Sequence, residues 1–465
     1  MLLERFETKG LSHYAYALGC EESRELIIID PIRDIDTYRK YAAERGYSIV
    51  AIFETHIHAD YASGAHEFSS TGVPVYVSGH DQGETYEVSF PHRDFFDGDT
   101  LSFGTIGIRG IHTPGHTPEH MSYLVESTNS SEPPLLFSGD FLFVGAVGRP
   151  DLLGEEQKAT LAKQLYSSLT KKLAQLPDET VIYPAHGAGS MCGAGIQGPP
   201  SSTIRNERLA NPYLEAGLSQ TAFLEKILAH VPPFPAYYKR MKQLNSVEPR
   251  ILEQLPEAPA LPLSAVENHI RERGVVVDLR DYLSFGAGHI PNSLSIGLSP
   301  QLALWAAWVV PPATPIIFIA PNESAVEQAV RAFVRVGLDD VVGFLDGGFS
   351  AWANAGKPVS TLEQITAPRL SERLTGNERL QVLDVRSENE WNAGHINGAR
   401  RLGFDQLAQV GEELRGSNQA YVTICGGGYR SSIAASVLKK SGVSQVCNLN
   451  GGMRAWFESR LPISR

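Results

Sequence analysis

An α/β architecture is predicted for this chain: an N-terminal αββα sandwich, then two doubly wound sheets of parallel strands. Three observations predict it. The first 200 residues alternate short apolar strands with polar, acid-rich or His-rich turns, which suits a sandwich with its site at the strand ends. Residues 253–262 hold three prolines and read as a linker. Beyond them, residues 275–291 (VVVDLRDYLSFGAGHIP) are echoed by residues 382–398 (VLDVRSENEWNAGHING). A repeat of about 105 residues is too long for a solenoid unit, so it marks tandem domains.

Taken in order, strands are expected at residues 25–30, 48–55, 73–78, 107–112 and 135–140, with a helix over 159–176. Residues 201–257 have a mostly helical pattern interrupted by the Pro-rich piece 231–235. Each repeat then offers a second strand (316–320; 421–425), a loop, a helix and a third strand. Each closes on a turn followed by Trp, Leu345-Asp-Gly-Gly-Phe-Ser-Ala-Trp352 and Leu449-Asn-Gly-Gly-Met-Arg-Ala-Trp456. Strands alternating with helices imply parallel sheets. The expected domains are 1–250, 260–360 and 368–465.

Composition narrows the function classes. The 465 residues are 42% hydrophobic and 20% charged, a globular profile. Net charge is −12 with no basic stripe, which argues against a nucleic-acid partner. No apolar run reaches the roughly 20 residues of a membrane span. The N-terminus carries acids where a signal peptide is basic and then apolar, so a cytoplasmic address is expected. The four cysteines, Cys20, Cys192, Cys425 and Cys447, form no C-x-x-C pair; free thiols are expected rather than disulfides or structural zinc.

Four clusters carry metal-ligand chemistry, each just after a strand: Thr55-His-Ile-His-Ala-Asp-Tyr61, Thr113-Pro-Gly-His-Thr-Pro118, Ser138-Gly-Asp140 and Tyr183-Pro-Ala-His-Gly187. Any single one reads equally well as a surface turn, as His112 beside His116 illustrates. Four in this order point to a metal site.

The order THxHxD, PGHTP, SGD, PAHG resembles the metallo-β-lactamase superfamily in its glyoxalase II and persulfide dioxygenase branch, over residues 1–245. The resemblance implies ligands His56, His116 and Asp140. Dinuclear hydrolases of the branch place His where this chain has Tyr61, and a phenol with pKa about 10 is a poor neutral-pH ligand. Related dioxygenases also keep His there, so the chain departs from both. Two imidazoles and one carboxylate match the facial arrangement of non-haem iron(II), which leaves positions open for sulfur and O2. One Fe(II) per chain is therefore expected, with His58, Asp60, Tyr61 and His186 orienting its ligands. Gly148-Arg-Pro-Asp151 is similar to the GRxD stretch of persulfide dioxygenases. Two readings of Arg149 stay open, contact with an anionic thiol carrier and a buried pair with Asp151. Two are also open for Cys192: a persulfide relay at the metal pocket, or a small buried hydrophobe.

In the second repeat, strand and helix flank Cys425-Gly-Gly-Gly-Tyr-Arg-Ser-Ser432. Glycines let backbone N–H groups turn toward the sulfur, the helix N-terminus adds partial positive charge, and Arg430 adds a full one. With Asp384-Val-Arg386, Glu390, His395 and the Gly-Gly-Met-x-x-Trp ending, the segment resembles an active rhodanese. That implies Cys425 as nucleophile, with Arg430, Gly426, Gly427, Gly428, Tyr429 and Ser431 around the substrate; Gly428 is the glycine the family fixes, while glycine at the variable positions 426 and 427 is expected to widen the pocket mouth. The first repeat keeps Asp278-Leu-Arg280 and His289 but has Ala320-Pro-Asn-Glu-Ser-Ala325 in place of the cysteine loop. It is expected to be inactive, a spacer or an oligomer contact. Cys447 is expected in the core.

Together these features resemble the persulfide dioxygenase–rhodanese fusion proteins. The resemblance implies oxidation of a thiol persulfide (glutathione, coenzyme A or bacillithiol type) by O2 to sulfite. Sulfane-sulfur transfer at Cys425 would then give thiosulfate, in a homodimer or tetramer. The alternative is a glyoxalase II-type zinc thioesterase fused to a thiosulfate sulfurtransferase.

Overall fold

The computed structural model describes the chain except residues 130, 194, 230–233, 248, 249 and 377. Residues 231–233 of the expected Pro-rich interruption therefore lie outside the described residues. The chain divides into two compact units, Met1–Leu255 with Val334–Gly337, and Pro256–Phe333 with Leu338–Arg465.

The first unit is an αββα sandwich. One six-stranded sheet runs in sequence order from Leu2–Thr8 through His13–Gly19, Glu25–Ile29, Ser48–Phe53 and Val75–Ser78 to Arg93–Phe95. It begins antiparallel and turns parallel from Glu25–Ile29 onward, because the helix Asp36–Arg45 carries the chain back to the start of the next strand. The other sheet is ordered Ser202–Thr203, Val181–Pro184, Leu135–Gly139, Met121–Ser127, Ile106–His112, Thr100–Phe103. Alternating residues of both sheets meet in one core: Tyr16, Leu18, Ile27, Ile29 and Phe53 from the first, Met121, Tyr123, Val125 and Phe137 from the second. The opposite face of the second sheet packs Leu124, Leu136 and Ile182 on Leu165, Phe223 and Ile227 of two helices, Glu155–Ser167 and Gln220–Ala229. The single helix expected over 159–176 starts earlier and ends in a π turn (Ser168–Lys172) and a 3-10 turn (Leu173–Gln175).

The second unit contains two five-stranded sheets, all parallel, and their topology is the same. One is ordered Ala260–Leu261, Val341–Leu345, Ile316–Ile319, Val275–Asp278, Leu294–Ser295. The other is ordered Glu363–Ile365, Val446–Leu449, Ala420–Ile424, Leu380–Asp384, Arg400–Arg401. The short first and last strands of each are too brief to have shown a periodic pattern. The repeat extends to side-chain geometry. Arg280 and Arg386 each fork onto the Asp two residues earlier and donate to the carbonyl of Gly288 or Gly394. His289 stacks on Phe285 and His395 on Trp391, both at 3.8 Å. Cys447 lies in the buried strand Val446–Leu449, where burial pushes its thiol up to about 12.

Among the described residues, no helix is long and apolar enough to cross a membrane.

Candidate metal centre and thiol site

Strands that end together bring the four clusters together. Ser48–Phe53 delivers residues 55–61, Leu135–Gly139 delivers Asp140, and Val181–Pro184 delivers His186. His116 comes from the turn between Ile106–His112 and Met121–Ser127. Gly115 in that turn has φ +144, and a Cβ there would lie 2.4 Å from the Leu165 backbone, so the turn is pressed onto the helix Glu155–Ser167.

His56, His116 and Asp140 form one buried group whose ligating atoms lie within 4.8 Å of one another. Asp140 Oδ2 is 3.7 Å from His56 Nε2 and 3.3 Å from His116 Nε2. Metal–donor bonds of about 2.1 Å require neighbouring donors roughly 3–3.5 Å apart, so the spacing fits a single ion. Polar satisfaction tests the fit independently. Both Nε2 atoms and both Asp140 oxygens are buried without a hydrogen-bond partner, which buried polar atoms avoid unless something else binds them.

Their partners fix which ring nitrogen is free. His116 Nδ1 donates to the Arg149 carbonyl at 2.9 Å, leaving Nε2 a lone pair. Thr55 Oγ1 donates to Asp30 Oδ2 at 2.9 Å and so accepts from His56 Nδ1 at 3.0 Å, again freeing Nε2. Burial, reinforced by neighbouring histidines, holds both rings below the ordinary histidine range, while burial pushes Asp140 up to about 6.

His58, Asp60 and His186 make an adjoining group. His58 Nε2 lies between Asp30 Oδ1 (3.1 Å) and Glu54 Oε2 (3.2 Å); burial opposes its protonation, yet the two carboxylates raise it well above the ordinary value. His186 donates Nδ1 to the Ser12 carbonyl and turns Nε2 toward Asp60 and Asp140. Tyr61 is buried and its hydroxyl donates to the Asp30 carbonyl at 3.4 Å; burial pushes the phenol well up, so it stays protonated. Cys192 is buried with its thiol beside Asp140 and His186, and burial next to carboxylates raises it well above the ordinary thiol value.

Arg149 realises the ion-pair reading. Its fork closes on Asp151 at 2.7 and 2.8 Å, a third donor holds the Met191 carbonyl, and its own carbonyl orients His116. Four residues at the centre stand outside the sequence motifs. His120 accepts from the Asp140 backbone N–H at 3.0 Å and stacks on His56, so it orients two of the candidate ligands without joining them. His13 packs against Tyr61, Asp30 anchors Thr55 and His58, and Lys242 donates to the Ile57 carbonyl at 3.0 Å. Only His120, four residues after His116 in the same turn, carried a signal in the sequence.

In the second unit, Cys425 directly follows the strand Ala420–Ile424, and the helix Tyr429–Lys440 comes after the loop. Its Sγ accepts from the Gly428 N–H at 3.1 Å and from the Ser431 hydroxyl at 3.2 Å. The loop carbonyls point the other way: those of Cys425 and Gly426 are taken by the N–H groups of Met453 and Arg454, in the helix after the Gly451 turn. The Gly-Gly-Met-x-x-Trp ending thus backs the loop. A Cβ on Gly452 would lie 2.3 Å from the Cys425 carbonyl.

One expectation needs correction. Arg430 does not present a free charge: its fork closes on Glu390 at 2.8 and 2.6 Å. Although burial opposes ionisation, that pairing holds the Glu390 carboxyl down at about 2. Gly428, the glycine the family pattern fixes, is covered on its open side, where a Cβ would sit 3.0 Å from the Tyr282 hydroxyl. Tyr429 points its hydroxyl at the Gly297 carbonyl (2.7 Å), away from the sulfur. Around Gly426 and Gly427 the space is freer: a Cβ would meet the guanidinium groups of Arg430 at 3.2 Å and Arg454 at 4.0 Å.

Comparison with known proteins agrees with this division. The metallo-beta-lactamase superfamily matches residues 8–186, and the rhodanese-like domain matches residues 263–355 and 366–459. The chain is 31% identical over 219 residues to the mitochondrial persulfide dioxygenase ETHE1 of Mus musculus, covering 46% of this chain and 76% of that protein. For the Homo sapiens protein of that name the identity is 30% over 221 residues, with the same coverage. The crystal structure of a metallo-beta-lactamase from Staphylococcus aureus superposes with TM-score 0.66 at 31% identity, covering 74% of this chain and 98% of that one.

Proposed function

From the premise that this chain belongs to the metallo-β-lactamase superfamily, among the persulfide dioxygenases, and carries two rhodanese-like domains, we propose that it oxidises low-molecular-weight thiol persulfides and transfers their sulfane sulfur. The observation that carries the reading is the convergence of His56 Nε2, His116 Nε2 and the Asp140 carboxylate, buried and without hydrogen-bond partners.

One iron(II) ion held by the trio supplies the redox chemistry between O2 and a sulfur anion. The reaction balances as RSSH + O2 + H2O giving RSH, sulfite and two protons; the terminal sulfur loses four electrons and O2 gains them. The chain's own residues orient and exclude. Thr55, Asp30 and the Arg149 carbonyl hold the two imidazoles with Nε2 forward, His120 steadies Asp140, and the buried walls keep bulk water out. Tyr61, in place of an imidazole, supports one ion rather than two.

At the second site, the Cys425 thiolate takes the outer sulfur from a persulfide and releases RSH. Sulfite then attacks the outer sulfur of the Cys425 persulfide and leaves as thiosulfate, regenerating the thiolate. The Gly428 N–H and the Ser431 hydroxyl hold the sulfur during both exchanges. Arg430, its charge offset by Glu390, stands beside Gly426 at the loop and contacts sulfite through its N–H groups at short range rather than drawing it in by net charge. Cys192 relays sulfur at the metal site only if it can be trapped as a persulfide. The carrier is of glutathione, coenzyme A or bacillithiol type, and the protein works in the cytoplasm as a homo-oligomer of domains 1–250, 260–360 and 368–465.

Anaerobic reconstitution with iron, metal analysis and an oxygen electrode supplied with glutathione persulfide test this reading. O2 uptake proportional to bound iron is expected. Two tightly held zinc ions, thioester cleavage and no O2 uptake would overturn it.

A further inference from the structure

The first repeat has lost its chemistry as a set. Register with the second repeat puts Ala320 opposite Cys425, Ala325 opposite Arg430 and Ser284 opposite Glu390. The nucleophile and both members of the adjoining ion pair are replaced, while the fold is kept. What the repeat retains is a set of polar contacts that converge on its neighbour's Cys425 loop.

Tyr282 sits at the start of the helix Tyr282–Ala287, two residues after Arg280. Its hydroxyl proton is shared between Asn450 Oδ1 at 3.0 Å and the Gly427 carbonyl at 3.4 Å. The Gly427 carbonyl and the Gly428 N–H belong to one planar trans peptide, so fixing the carbonyl outward fixes the N–H inward. That N–H is the one on Cys425 Sγ at 3.1 Å. Gly428 has φ +102, reached cheaply only by glycine, and the Tyr282 phenol fills the space its missing side chain leaves. Without a cover on that side, a peptide flanked by two glycines is free to flip.

The helix behind the loop is held from the same repeat. Ser295 N–H donates to Ser436 Oγ at 3.1 Å, Ser295 Oγ meets Ser432 Oγ at 3.0 Å, and Ser299 donates to the Tyr429 hydroxyl at 3.1 Å. Ser295, Ser432 and Ser436 are buried, so separating the repeats would strand polar groups.

We propose that the cysteine-free repeat is a working part of the Cys425 site, with Tyr282 as a positioning residue that holds the peptide between Gly427 and Gly428 in its sulfur-binding orientation. The proposal deepens the sulfur-transfer reading above and rests on it.

The test uses the full chain with Tyr282→Phe, which removes one oxygen and keeps the ring, and Trp305→Phe. Trp305 packs against Phe404 across the same pair of repeats, with ring centroids 4.8 Å apart and the planes tilted by 42°, and serves as control. Hydrogen–deuterium exchange of the peptide spanning residues 425–431 is followed beside sulfur transfer from thiosulfate to cyanide. Tyr282→Phe is expected to raise exchange in that peptide about three- to tenfold and lower kcat by a similar factor. KM for thiosulfate is expected to stay within about twofold, and Trp305→Phe to leave the peptide unchanged. Wild-type exchange in Tyr282→Phe overturns the proposal. So does an exchange increase spread across the whole second unit, or an equal effect from Trp305→Phe, since either makes Tyr282 a packing residue. If the unsubstituted protein transfers no sulfur, the functional reading falls while the exchange measurement still decides the clamp.

Discussion

Individual side chains at the metal centre divide into those that offer a lone pair and those that aim it. His116→Ala removes a proposed ligand and should abolish both metal retention and O2 uptake. His120→Ala removes none of the trio but frees the Asp140 backbone and the face of His56. It should weaken metal affinity by about 10–100-fold, read by competition with a chelator. At the other site, Cys425→Ser should leave sulfite as the end product, with thiosulfate lost from the chromatogram. Glu390 gives a pH prediction with a definite sign. Its carboxyl is held at about 2 against an ordinary 4.5 by the Arg430 pair, after a cost from burial. The pair therefore contributes stability in full above about 4.5, and the contribution disappears as pH falls from there toward 2. Partial exposure and solvent screening keep it modest. Acid unfolding curves of wild type and Glu390→Gln should differ above pH 4.5 and converge as the pH approaches 2.

At the level of elements, the centre depends on strands that end together and on a turn seated against a helix. Gly115 shows how little room that leaves. Gly115→Ala puts a methyl into the Leu165 backbone and a side chain at φ +144, so His116 must move with the turn. A destabilisation of about 2–4 kcal/mol is expected in denaturant unfolding. The variant should also bind less metal although every ligand is present; normal metal content would show that the turn adapts. In the second unit the corresponding element is the Gly451 turn, whose following helix takes the carbonyls of Cys425 and Gly426 and so turns the loop amides toward the sulfur.

Across the whole molecule, two compact units carry the two candidate sites, and an ion held by the trio would stabilise only the unit that contains it. An ion at about 100 times its Kd stabilises the unit that binds it by about 2.7 kcal/mol. Chelation should lower the melting of the first unit by about 5–10 °C, the shift expected for a unit of this size. The transition of the second unit should stay in place in the same calorimetric scan. If both transitions move together, metal binding is coupled across the chain.

Much of this was legible in residue order alone. The αββα sandwich followed from strands that close on ligand-rich turns, and the tandem parallel sheets followed from a repeat whose Asp-x-Arg, His and Gly-Gly signatures recur in step. The convergence of His56, His116 and Asp140 and the placement of Cys425 between a strand and a helix were also readable, because local motifs dictate which atoms a turn presents. What the order could not supply was the use of atoms by partners distant in sequence. Arg149 and Arg430 are spent on Asp151 and Glu390, His120 and Asp30 aim ligands, and Tyr282 reaches a loop 145 residues away. Periodicity and motif describe neighbours along the chain. A hydrogen bond or an ion pair is decided by distance and direction in space, and only packing brings such groups within reach.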